Sequence, residues 1–145
     1  MKELILQTSN DWLGLILRLT AGCIMLPHGL QKAFGFFGGF GFKATMAYFT
    51  DSMQLPWLIA FLVILIEVIA PLGLIVGVLS RVWALSIVVV MVGAIATTNA
   101  RHGLFMNWFG TQDGEGYEYH LLMIGICLSV VIAGSGKLSI DRLLQ

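Results

Sequence analysis

Arg18, His28, Lys32, Glu67, Glu118 and His120 are the residues able to do chemistry in an otherwise apolar chain, and all lie inside hydrophobic runs or at their ends. Histidine exchanges protons near neutral pH, and a partly desolvated carboxyl can hold or relay one. Lys32 and Arg18 can stabilise developing negative charge. Such groups around an apolar slot suit a quinone, whose ring needs greasy walls and whose carbonyl oxygens need donors and protons. Glu67, His28 and His120 are therefore the candidate catalytic residues. Arg18, Lys32, His102, Glu118 and Tyr119 are the candidates for holding the cofactor. No flavin, nicotinamide or iron–sulfur signature accompanies them, so electrons have to come from a protein partner.

The spacing of these residues is helical. At 100° per residue, Arg18, Gly22, Met25, His28, Gly29 and Lys32 fall within roughly a third of a helix circumference, a stripe from a buried arginine to a basic mouth. Arg18 and Glu67 would each cost about 2.5–3.5 kcal/mol if they faced lipid at mid-membrane, so both are expected to face inward. Counted along their own segments they stand at similar depth, which predicts a bidentate Arg18–Glu67 pair. Such a pair serves a site or simply fixes helix register. Pro71 removes the backbone donor that would meet the Glu67 carbonyl, and Pro27 does the same for Cys23. A polar cavity or a neighbouring helix has to satisfy those carbonyls. Asn99, Arg101, His102, Glu115, Glu118 and His120 are expected to join His28 and Lys32 in a polar crown.

Other chemistries fit less well. Haem ligation by two of His28, His102 and His120 is feasible but disfavoured, since no CxxCH motif is present and the histidines sit at helix mouths. No metal site is expected, for want of HExxH or clustered Cys/His spacing. Cys23 and Cys127 would have to meet across a bundle to exchange thiols, and buried small apolar residues are their plainer reading.

The elements that must position these residues follow from composition. Of 145 residues 58% are hydrophobic and 11% charged, with a mean hydropathy of +0.90, which places the chain in a lipid bilayer. Eight basic residues balance eight acidic ones, so nucleic acid is not an expected partner. A hydrocarbon core of about 30 Å needs roughly 20 apolar helical residues. Four segments near 12–33, 56–79, 82–100 and 117–133 meet or approach this, predicting an all-α, integral membrane four-helix bundle of two transmembrane hairpins, a single domain over 1–145. Arg18 interrupts the first apolar run and no small-residue cleavage site follows, so that run is expected to be retained.

Two connections are rich in glycine and aromatics and suit the headgroup layer, while Ser80–Arg81 is expected to be a tight polar turn on the side of the termini. Lys2, Arg81, Lys137 and Arg142 on that side outnumber Lys32, Lys43 and Arg101 opposite, a bias toward cytoplasmic termini. Gly73 and Gly77 permit close helix crossing, within the chain or between two copies. "HGLQKAFG" and "HGLFMNWFG" echo each other after the first and third segments.

In order and spacing, Arg18, "HGLQKAFG", Glu67, "PLGLIVGVLSR" and "YEYHLL" resemble the DoxX family of small four-helix membrane proteins. The resemblance implies a multi-pass protein of the bacterial inner membrane with both termini cytoplasmic. It also implies kinship with a subunit linked to thiosulfate:quinone oxidoreductase, and with proteins described as oxidoreductases. The leading expectation is a quinone-linked membrane oxidoreductase subunit with a polar pocket toward the periplasm. The alternative is a non-enzymatic subunit or small-molecule binding or carrier protein that assembles with a partner.

Overall fold

The structure is a computed structural model that describes residues 6–145, all helical among the described residues apart from turns and loops. Helix α1 spans Trp12–Phe34, α2 Gly41–Ala47, α3 Trp57–Val76, α4 Ser80–Thr97, α5 Glu118–Ala133 and α6 Ile140–Leu143. A π turn, Tyr48–Ser52, continues α2, and a short 3-10 segment, Asn99–His102, follows α4. Helices α1, α3 and α4 are long and apolar enough to cross a membrane, and α5 is a shorter apolar helix. At 1.5 Å per residue its 16 residues reach about 24 Å.

Local signals account for the ends of α1. Asp11 accepts the Gly14 N–H at 2.7 Å as its N-cap, and Gly35 closes its last turn in the left-handed region (φ 74°). The α3–α4 turn is tighter than expected. Gly77 (φ 76°) and Leu79 (φ 51°) make the reversal, so Ser80 and Arg81 are already the first turn of α4. A left-handed leucine is strained, and Asp141 holds it by accepting the Leu79 N–H at 2.6 Å.

The helices pack chiefly as α1 against α3 and α4 against α5. Their interior is narrow and built from small or flexible residues, including Ala21, Met25, Ala70, Ala84, Met123 and Cys127. The outside carries Ile16, Leu58, Leu72, Val89 and Ile132, all exposed, as lipid-facing helices require. Gly73 receives the indole ring of Trp83 from α4, and Gly77 lies against Ser139. The glycine pair is thus used within the chain. The segment after α5 folds back over the end of the bundle, where Lys137 N–H meets the Asp11 carbonyl and Asp141 N–H meets that of Gly77, each at 2.9 Å.

Candidate functional site

The stripe expected on α1 faces inward. Gly22, Met25 and Gly29 are buried, and His28 and Lys32 half-buried. Register decides which groups it meets. Arg18 stands beside Leu74 and Ile75, whereas Gly29 is the residue pressed against the Glu67 carbonyl, where a Cβ would collide with it. Eleven residues separate these levels on α1, about 16 Å of helix rise.

The expected Arg18–Glu67 pair is therefore absent. Counting depth within each segment missed the offset between two antiparallel helices. Arg18, 1% exposed, instead donates to five backbone carbonyls. Nε reaches Ser135 at 2.8 Å, Nη1 reaches Leu74 at 2.8 Å and Ile75 at 2.6 Å, and Nη2 reaches Lys137 at 3.1 Å and Leu138 at 2.7 Å. Two of these are end carbonyls of α3, which lack helical partners and carry the negative end of its dipole. Asp141, equally buried, serves the opposite polarity by accepting from Leu79 N and Ser80 N at the start of α4, and from the Ser135 hydroxyl. This end of the bundle is a closed polar knot.

Glu67 finds Lys32. The Lys32 Nζ lies 2.5 Å from Glu67 Oε2, with side chains 30% and 6% exposed respectively. Among the described residues no backbone or hydroxyl donor meets that oxygen, which keeps acceptor capacity over. The pair borders a cavity of ≈ 640 Å³ that His28, Tyr119 and His120 also line. The Tyr119 ring stands 5.6 Å from those of both His28 and His120. Its hydroxyl donates to the Met25 sulfur at 3.4 Å. Buried His120 Nδ1 has no partner among the described residues. The rest of the wall is mostly apolar, with Phe49, Met53, Ile66 and Val90 among its residues. Such a space takes an apolar ring and offers its polar substituents a cation, a carboxylate, two imidazoles and a phenol.

Five of the eight proposed site residues thus meet: Glu67, His28, His120, Lys32 and Tyr119. The other three do not line the cavity. Arg18 belongs to the knot. His102 ends the exposed 3-10 segment, where its Nε2 accepts from Arg101 Nε at 3.0 Å and its ring covers Gly114. Glu118 accepts the Met106 N–H at 3.3 Å and so staples the loop before α5. The echo between "HGLQKAFG" and "HGLFMNWFG" is not structural, since the first is helix and the second 3-10 turn and loop. On α5, the buried face carries Met123, Cys127 and Val130, while Gly125 faces out. Cys23 is exposed and Cys127 buried, and both are free thiols, so no exchange pair forms. Among the described residues no group of three or more His, Cys, Asp or Glu side chains forms a metal site.

The loop contribution of Phe49 and Met53 was not anticipated, nor was the role of Asp141. An aspartate soon after Ser139 in an otherwise basic tail was the available signal, because serine before a short polar turn marks a helix start.

A family model described as DoxX matches residues 13–100. No curated protein and no solved structure matches the chain. The family match covers more than half the chain, from Leu13 to Ala100 just past the end of α4. The chain belongs to the DoxX family and is a membrane protein.

Proposed function

From membership of the DoxX family, we propose that this protein is a quinone-linked membrane oxidoreductase subunit whose ligand occupies the cavity beside Lys32 and Glu67. The observation that carries the reading is an apolar space ending on an ion pair and on an imidazole nitrogen with no partner among the described residues. These residues fit the group: Phe49, Ile66 and Val90 would flank a ring, and Lys32, Tyr119 and His120 would address its oxygens. A bound quinone would supply two-electron, two-proton redox chemistry, with electrons arriving from a protein partner. The chain itself contributes charge at Lys32, a proton store at Glu67, and proton exchange at His28 and His120.

In this reading α5 is the fourth span, α1 with α3 and α4 with α5 are the two hairpins, and the protein resides in the bacterial inner membrane. Arg81, Lys137 and Arg142 gather at the end where the tail meets the first helix, through Arg81 to Gln7, Lys137 over the Trp12 ring and Arg142 to Asn10. Lys2 lies outside the described residues. Counted with Lys2 from the sequence, the cations of this end outnumber Lys32, Lys43 and Arg101, which supports cytoplasmic termini and, on that orientation, a polar end of the cavity in the periplasmic half.

A second reading is a non-enzymatic binding subunit or carrier. It draws on Lys32 and Glu67 already neutralising one another, an arrangement that needs no proton transfer to be complete. Purification in mild detergent, an absorption spectrum and mass spectrometry of co-purifying molecules separate the two. The oxidoreductase reading expects a bound quinone that is lost in Glu67→Gln and His28→Ala variants and reduced when a donor is added. A quinone bound but never reduced supports the second reading, and no bound quinone in any preparation contradicts the first.

A further inference from the structure

The cavity opens at its loop end, where Tyr48, Thr97 and Glu115 line it and are exposed, and again at its side. At its loop end Thr98 Oγ1 lies 4.0 Å from the Met53 sulfur, and Asn99 Nδ2 donates to the Glu115 carbonyl at 2.9 Å within the connection before α5. At the turn between α3 and α4 the helices touch, because the Trp83 ring sits on Gly73. Counting equally along both helices from that contact sets Leu62 opposite Gly93 and Ala94, about 15 Å further on. There the walls part. Leu62 on α3 and Val89 and Gly93 on α4 line the cavity and are also exposed. A Cβ added at Gly93 would meet nothing within 4 Å.

In a membrane protein that exposed apolar side faces hydrocarbon, not water. We infer that the cleft between Leu62 and Gly93 is a lateral portal through which a tail-bearing, bilayer-dissolved ligand reaches the polar end of the cavity. Its tail stays in the cleft and its ring lies beside Lys32 and Glu67. This rests on the quinone reading and narrows its substrate class to quinones with a long apolar chain. Gly93 is the residue that sets the selectivity: it is the gap in the α4 wall, and a bulky side chain there closes the path without touching the polar groups.

The test uses the full chain in lipid nanodiscs and two probes, a tail-less benzoquinone and the same ring carrying a long isoprenoid chain. Wild type, Gly93→Ala, Gly93→Phe and Leu62→Trp are compared, with thermal unfolding confirming that each is folded. The portal predicts that Gly93→Phe and Leu62→Trp weaken or slow binding of the tailed quinone by about tenfold or more. Gly93→Ala stays close to wild type, and the tail-less ring binds all four alike. Equal losses for both probes, or unchanged tailed binding in both bulky variants, overturn the portal while leaving the site intact. The unchanged result is also what a cleft occupied by lipid acyl chains would give. Binding of neither probe to wild type overturns the quinone site itself and the portal with it.

Discussion

Arg18 and Lys32 lie on the same stripe of α1, about 21 Å apart along its axis, and each brings a cation into an apolar bundle. Arg18 spends its donors on five backbone carbonyls and is 1% exposed. Lys32 pairs with Glu67, and both border a cavity. A buried charge whose hydrogen-bonding capacity is used up by backbone holds elements together. One that keeps capacity over, next to empty space and an unpartnered imidazole nitrogen, is placed for a ligand. Charge inside a membrane protein therefore marks function only when its partners leave something over.

The comparison is broken most sharply at Arg18. Arg18→Met leaves five carbonyls without this donor and Asp141 without its neighbouring cation, and should cost roughly 3–5 kcal/mol, the range for unpartnering buried charge. Thermal unfolding in detergent reads this, and a change below about 1 kcal/mol would place Arg18 outside the framework.

Gly29→Ala comes next, since its Cβ would run into the Glu67 carbonyl. A loss of about 1–3 kcal/mol is expected from overpacking, together with weaker quinone binding, because the α1–α3 spacing that seats Lys32 against Glu67 must widen. Unaltered binding at reduced stability would show that the ion pair does not shape the ligand site.

A smaller effect belongs to Asp11, the α1 cap at the knot end. The Ser9 hydroxyl, and then the Gly14 N–H, hold its carboxyl below the ordinary range. Its contribution is fully present above the unfolded value of about 4 and is lost as pH falls through the lower folded value. Asp11→Ala should cost about 1 kcal/mol near neutrality and flatten the acid limb of a stability profile measured below pH 5.

The smallest expected change in stability is at the open cluster. Replacing Lys32 and Glu67 together by Met and Leu should leave stability close to unchanged, because apolar replacement of a buried pair is often neutral. Quinone binding should disappear. A strongly destabilised double variant would make this pair structural like Arg18 and erase the contrast.

Much of the helical framework and half of this contrast were legible in the sequence. Hydrophobic length located the segments, and helical periodicity placed Met25, His28, Gly29 and Lys32 on one inward stripe. Periodicity within a helix carries no information on the offset between helices, so Arg18 was paired with Glu67 when Leu74 and Ile75 stand beside it. Segment order sets His102 on the same membrane side as His28, yet one sits in a 3-10 turn and the other in a helix. Asp141 escaped notice because its role depends on a tail folding back onto the α3–α4 turn, a long-range contact with no local pattern. Phe49 lies in the π turn after α2 and Met53 directly follows it, and both line the cavity through long-range packing that leaves no local pattern.

The central claim is that the Lys32–Glu67 end, and not the Arg18–Asp141 end, receives the ligand. Photolabelling the membrane-embedded protein with an azido-quinone, followed by mass spectrometry of the adducts, tests it most directly. Adducts within the segments around Met53–Glu67, Val89–Thr98 and Tyr119–Met123, competed away by excess unlabelled quinone, are the predicted result. Competable adducts confined to Ser135–Asp141 and the α1 residues beside Arg18 would contradict it.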